Sequence, residues 1–484
     1  MRAAFPAAIG VDIGTTNTKV VLASFGDGGF AVREERVRTV PTPAGGAALQ
    51  DAVLTAIGSV AIEARDRVVG IGVASMAETG ALLGADGHPL GELLRWNEKD
   101  GGSAVRSLVA GAGAAELYAA TGVPVPEKTP LAHWLTLREA GDARLSRARW
   151  AGVADLVVAA LVGEAVTDHT LAARTMAYRL NGPAELFDAD LLALVGLTPD
   201  RFPRVARPGE SAGTLTHDAA AVLGLPAGLP VVAAGHDHAV GAWAAGVREP
   251  GCAADSVGTS EALYRLAPEV PREAAREQGM SIARAVDGIH ESLLGANPTA
   301  GALIEWALDE LLPGADRADV FAAAAECSTG ALGAFLLPYL RGRQAPQPDR
   351  SARLRAVPAL AADPGMALTA VLTGLVLQLA WLDAVQTGIL GPRDADLTVL
   401  AGPGAANDAW WNLKRRILTG RLRRVDAAEP VATGAAMLAA HRVAGITTTL
   451  PLGPAEPALG SAGGSDTGAP ELLAAFVSAA TGER

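Results

Sequence analysis

The chain has 484 residues, enough for two or more domains each with its own core, and carries a formal net charge of −12 without a long single-sign block. That acidic balance argues against nucleic acid or an anionic membrane as the main partner, and the two cysteines, Cys252 and Cys327, are too few for a disulfide framework or a zinc site. The N-terminus MRAAFPAAIGVDIG enters a strand at once and lacks the apolar core of a signal peptide, so the expected setting is a reducing cytoplasm.

The first predicted element is a β-hairpin over Ala8–Ala23, with apolar arms Ile9–Val11 and Val20–Leu22 around the polar turn DIGTTNTK. Asp12 ends the first arm, Gly14 lets backbone approach a ligand, and Thr15, Thr16 and Thr18 offer hydroxyl and amide donors beside the fixed charge of Lys19. The set suits a metal-bound polyphosphate, with the carboxylate toward the metal and the donors toward phosphate oxygens; an ordinary turn satisfied by its own Asp and Thr is the alternative. A third strand near Arg33–Val40, a helix over Ala47–Arg65 and a buried strand at Val68–Ala74 follow, which indicates an α/β domain. Glu78 sits just past that strand, where α/β folds place ligands, although a solvated loop carboxylate fits its residue type equally well.

Further on, the apolar strand Val231–Ala234 meets Gly235, then His236-Asp237-His238 and an Ala/Gly-rich helix. Asp237 at such a junction is either a helix cap or a working carboxylate. His236 and His238 would share a face only if the strand continued, and the helix pattern argues against that metal site. The segment AADSVGTSEAL, Ala253–Leu263, repeats the strand–turn logic of DIGTT, as a duplicated fold would. Pro364–Leu382 runs without a charge. Asp363 and Asp383 flank it tightly and Thr369, Thr373 and Gln378 interrupt it, which predicts a buried helix rather than a membrane span. Strand Leu397–Leu400 then runs into Gly402-Pro403-Gly404-Ala405, whose glycines let backbone approach a flat ring or a phosphate.

In this order the motifs resemble the FGGY family of carbohydrate kinases, of the actin-like ATPase superfamily. DIGTTNTK resembles the family's first phosphate motif, SVGTSEAL its second, Gly235-His236-Asp237 its Gly-x-Asp, and Gly402–Ala405 its adenosine loop. EPVATGAAMLAA (Glu429–Ala440) matches the Gly-Ala-Ala helix near the nucleotide, and Ala151 to Asp168 a further signature. The resemblance implies an α/β protein of two actin-like (ribonuclease H-like) domains with a nucleotide and sugar cleft between them. Residues 1–247 would bind sugar and phosphate and residues 248–484 ATP. It implies ATP and Mg²⁺ as cofactors and a small-molecule sugar or polyol as partner, a ketopentose such as xylulose or a related ketose. A monomer or homodimer with no nucleic-acid or membrane partner is expected.

By the same resemblance Asp237 is the base. A carboxylate with a pKa of about 3.9 is weak toward an alcohol, but a largely dissociative transition state lets it orient the hydroxyl and take the proton late. Asp12 would hold Mg²⁺ through water, Gly14, Thr15, Thr16, Lys19, Gly258, Thr259 and Ser260 would grip phosphates, and Gly402, Gly404, Ala405 and Asn407 would face the nucleotide. Glu78, Trp96, Asp168, His236 and His238 fall on the sugar side, with packing as the alternative for Trp96 and capping for Asp168; for Asp155 capping is the preferred reading. The chain departs from the family at Ala77, where glycerol kinase has an arginine, at Glu98 and Asp100 in WNEKD, and at Arg343-Gln344 in RGRQAP. The acceptor is therefore left open. So are two other readings, a catalytically impaired sugar and nucleotide sensor and an actin- or Hsp70-like ATPase.

Overall fold

The structure, a computed structural model, describes residues 5–26, 31–98, 102–124, 126–183, 185–330, 332–401, 407–457 and 468–482. The chain divides into two compact units. The first is Met1–Arg248 with two returning segments, Ile282–Ser292 and Ala427–Pro451; the second is Glu249–Ser281, Leu293–Asp426 and Leu452–Arg484.

The first unit is built on a six-stranded sheet of β1 (Ala7–Ile13), β2 (Asn17–Phe25), β3 (Val32–Pro41), β4 (Val68–Ser75), β5 (Gly213–Thr214) and β6 (Pro230–His236), in the order β3-β2-β1-β4-β6-β5. The predicted hairpin is present as β1 and β2, paired antiparallel from Ala7↔Ser24 to Ile13↔Thr18. β1, β4 and β6 run parallel, and their near-continuous apolar sequences are buried on both faces. The helix after β3 runs Gly46–Ala61, shorter than its spacing predicts, because Ala64 N–H bonds the Ala61 carbonyl and tightens the last turn. Helices Gly46–Ala61 and Val153–Val162 pack on one another and contribute to the same hydrophobic core as β1, β4 and β6. Helix Pro430–Ala444 returns to lie on β1, β4 and β6. It comes so close that a Cβ on Gly10 would sit 1.8 Å from the Ala432 carbonyl oxygen, and one on Gly72 2.0 Å from that of Ala435.

The second unit repeats the plan. β7 (Ala253–Val257) and β8 (Glu261–Ala267) form an antiparallel hairpin, β9 (Leu397–Ala401) lies parallel beside β7, β10 (Arg421–Arg424) is parallel beside β9, and β11 (Glu456–Pro457) is antiparallel at the edge. These are five consecutive strands of a seven-stranded sheet. The charge-free run is the start of helix Pro364–Leu390, the one described helix long and apolar enough to cross a membrane, and 89% of its most apolar window is buried within the protein. Its interrupting polar groups are satisfied internally: Gln378 accepts from Tyr339 Oη (2.8 Å) and donates to the Ala345 carbonyl (2.8 Å), and Thr373 donates to Thr369 O (2.7 Å). Arg343, the departure in RGRQAP, is buried and donates to the carbonyls of Gln347 (2.8 Å) and Ala480 (2.7 Å). It thereby caps the C-terminal end of helix Ala469–Thr481.

Because the obstacle facing Gly72 is backbone, no rotamer change can relieve it. Gly72→Ala is expected to destabilise the first unit by about 3 kcal/mol or more, read as a lowered thermal midpoint or loss of folded protein. A melt indistinguishable from the parent would show that the helix can shift away freely.

Candidate active site

The parallel run β1-β4-β6 places three strand ends on one edge, with Ser75 in register with both Ile13 and His236. Asp12, the loop 76–79 and His236-Asp237-His238 are gathered there, where open α/β sheets present ligand-binding groups.

Asp12 is 7% exposed and 3.7 Å from Lys19 Nζ, which also lies 3.2 Å from Glu429. Burial pushes the Asp12 carboxyl up to about 7; Lys19 opposes the rise, while Asp237 and Glu429 add to it. Three carboxylates thus share one ammonium. The all-oxygen donor set and the excess of negative charge fit a hard divalent cation such as Mg²⁺. The turn after Asp12 is braced by Thr42, whose hydroxyl donates to Gly14 O (2.8 Å) and whose amide donates to Thr16 O (2.9 Å). Thr16 is exposed, whereas the Thr15 hydroxyl lies between Met76 Sδ (3.3 Å) and the Trp96 indole N–H (3.1 Å). Trp96 packs against the core of the first unit.

At β6 the register with β4 shifts between Ala233 and Gly235, and Gly235 adopts φ +125°, a bulge that redirects the residues after it. Three side chains hold the bulge. Asp168 Oδ1 accepts from Thr170 N (2.9 Å) and Oγ1 (2.7 Å), Thr170 Oγ1 accepts from His236 N (2.8 Å), and Arg442 donates to the Ala233 carbonyl (3.0 Å) while lying 3.6 Å from Asp168. Asp168, expected on the sugar side with capping as the alternative, is 1% exposed, and its Oδ1 caps the short helix that begins at His169. Asp155 is a cap, as preferred: its carboxylate accepts from Gly152 N (2.7 Å), and burial pushes it up to about 6.

Strand ends and helix begins between His236 and Asp237, so Asp237 opens helix Asp237–Ala244, and Oδ1 accepts from His238 N (2.7 Å). His236 Nε2 lies 3.1 Å from Asp237 Oδ1, and burial pushes this imidazole down to about 4, leaving it neutral at neutral pH. Glu78 is held in the left-handed region at φ 63°, a strained setting for a non-glycine residue, with its Oε1 accepting from Arg174 Nε (3.1 Å) and Nη2 (2.5 Å). Sequence reasoning missed Arg174, Thr170 and Arg442. The first two lie just beyond Asp168, and the half-buried Glu78 takes its cation from outside its own loop.

In the second unit, Gly258, Thr259 and Ser260 form the turn between β7 and β8, with Val257 paired to Glu261. The Gly258 and Thr259 carbonyls accept from Gly301 N (3.1 Å) and Ala302 N (3.2 Å) at the start of helix Ala300–Trp306, so the turn's carbonyls face away toward that helix. Below the turn Lys414, fully enclosed, donates to Asp255 and to Glu261 (2.7 Å). Burial raises both carboxyls, Glu261 to about 7. Asn407 caps helix Asp408–Ile417 by accepting from Trp410 N (2.8 Å). Gly402, Gly404 and Ala405 lie outside the described residues.

Residues 7–244 match the N-terminal domain of the FGGY family of carbohydrate kinases. A xylulose kinase of Streptomyces rubiginosus is 30% identical over 91% of this chain and 89% of its own length, and an L-fuculokinase of Escherichia coli O157:H7 is 26% identical over 76% of each. The crystal structure of ligand-bound xylulose kinase from Lactobacillus acidophilus superposes with a TM-score of 0.85 over 99% of this chain and 98% of that one, at 20% identity, which establishes the two-domain actin-like α/β fold.

The upward shift of Glu261 means that its folded carboxyl keeps a proton to higher pH than an unfolded one, so its contribution to stability falls as pH rises from about 4.5 to about 7. Lys414→Met strands both carboxylates. Chemical denaturation should show a loss of about 3–5 kcal/mol at pH 8, shrinking toward pH 5 as both take up protons. An equal loss at both values would mean that the lysine acts through packing alone.

Proposed function

The chain belongs to the FGGY family of carbohydrate kinases and is an ATP-dependent sugar kinase, and on that footing we propose that its acceptor is an uncharged ketose or polyol, a ketopentose such as xylulose first among them. The observation that carries this reading is the shared edge of β1, β4 and β6. It sets Asp12 and Asp237 close enough to influence each other's charge, with Glu78, on the loop after β4, paired to Arg174. The guanidinium at this edge is neutralised by Glu78 and His236 is uncharged, a setting that favours hydroxyls over the carboxylate of a sugar acid. The similarity to a xylulose kinase supports the same choice.

In the proposed mechanism Asp237 accepts a hydrogen bond from the acceptor hydroxyl, aligns its oxygen for in-line attack on the γ-phosphate of ATP, and takes the proton as the new P–O bond forms. His236, neutral, sets its Nε2 3.1 Å from Asp237 Oδ1 and would limit the carboxylate's rotation by contact. Mg²⁺ bound through water at Asp12 would supply charge compensation for the phosphates. Lys19 and the Thr15 and Thr16 amides would meet phosphate oxygens at the turn after Asp12. Glu78 and Arg174 together present an acceptor and donors, the complement of a vicinal diol.

ADP release should be followed with Mg-ATP over a panel of ketoses, polyols and sugar acids. One neutral ketose is expected to support turnover, and Asp237→Asn to lower kcat by about 10²–10⁴-fold. Turnover with sugar acids alone would refute the substrate class, and sugar-independent ADP release unchanged by the substitution would refute the role of Asp237. Thr170→Val, which cuts the link from Asp168 to the His236 amide, should lower kcat by about tenfold or more with little change in the KM for ATP. An unchanged kcat would show that the bulge holds its geometry without the hydroxyl.

A further inference from the structure

The residues flanking the proposed base form a second, chemically different site. The imidazole Nε2 of His236 is 3.1 Å and that of His238 is 4.0 Å from the same Asp237 oxygen, and one ligand atom from each of the three residues falls within 4.8 Å of the others. The two rings meet edge to face with centroids 5.2 Å apart. A tetrahedral zinc ion with bonds of about 2.0–2.1 Å keeps its ligands roughly 3.3 Å apart, a spacing that the 3.1 Å and 4.0 Å approaches to Asp237 bracket. The backbone beneath them is fixed, since Gly235 bulges under the constraint of Asp168, Thr170 and Arg442, and Asp237 begins a helix. The continued strand that the sequence required for a shared face is not needed, because the strand-to-helix turn itself brings both rings onto the carboxylate.

We propose that His236, Asp237 and His238 form an inhibitory site for a borderline transition cation of the Zn²⁺ class, distinct from the hard-cation position at Asp12. Two imidazole nitrogens and one carboxylate oxygen are a donor set that Zn²⁺, Co²⁺ or Ni²⁺ takes readily and that Mg²⁺ does not. Occupancy places the cation on the oxygens of Asp237, which then no longer accept a proton from the acceptor hydroxyl. The enzyme would thus be silenced by free zinc at a concentration that leaves Mg-ATP intact. The existence of the site rests on geometry alone; its effect on turnover rests on the reading of Asp237 as the base.

The test separates the two. Titrating the full-length protein, free of nucleotide and sugar, with ZnCl₂ in a calorimeter should show one equivalent bound in excess MgCl₂. His238→Asn and His236→Gln, each checked for an unaltered thermal melt, should each weaken that event at least tenfold. Co²⁺ in place of Zn²⁺ should give the visible absorption of a tetrahedral nitrogen and oxygen site, lost in both variants. In the activity assay, inhibition by Zn²⁺ should follow the same binding curve and be reversed by a zinc-selective chelator. Zinc binding that survives in both variants would overturn the site. Binding lost in the variants but without inhibition of the parent enzyme would keep the site and overturn the assignment of the base.

Discussion

The first unit depends on a backbone-to-backbone contact. Gly10 on β1 and Gly72 on β4 leave no side chain between the sheet and helix Pro430–Ala444, so the helix settles directly onto the strands. Its two ends then reach the places where chemistry is expected. At its start, Glu429 pairs with Lys19 beside Asp12; near its finish, Arg442 enters the bulge of β6 and meets Asp168. Glu34 on β3 accepts from Ala428 N (3.1 Å), Glu429 N (3.0 Å) and Thr433 Oγ1 (2.6 Å), which fixes the helix along its axis. One small-residue crossing therefore sets the electrostatics of the first strand end and the geometry of the third.

What could be read in the sequence followed from how local the signal was. The strands β1, β4 and β6 are short apolar runs, and Asp12, Glu78 and Asp237 lie at or just past their ends, a placement that local sequence alone marks. Asp168 kept two readings because a carboxylate before a short helix looks the same whether it caps the helix or binds a ligand, and the structure adds the cap and the burial that the sequence could not show. Arg174 and Arg442 were out of reach for a different reason. Each finds its partner across a separation that no periodicity encodes, as in Arg174 with Glu78 and Arg442 with the Ala233 carbonyl. The altered RGRQAP motif belongs to the same class, since Arg343 answers to the last helix of the chain.

The two units share a hairpin followed by parallel strands, but they stabilise the hairpin turn by different means. In the first unit Lys19 is partly exposed and is shared between the buried acids Asp12 and Glu429. In the second, Lys414 lies beneath the turn in a closed pocket with Asp255 and Glu261, and the turn's carbonyls are tied to helix Ala300–Trp306. Each cluster sets one ammonium against two acids, but the full burial of the second leaves it less room to relax when charge arrives nearby.

The return of residues 427–451 to the first unit has a consequence for biogenesis. A ribosome that has released Arg248 has made that unit except the short segment Ile282–Ser292 and the returning segment whose helix covers Gly10 and Gly72. The roughly 180 residues still to be translated before Pro430 take on the order of 10–40 s at about 5–20 residues per second. During that interval the nascent sheet carries an uncovered, glycine-grooved apolar face, a surface suited to a chaperone's grip and vulnerable to another unfinished chain.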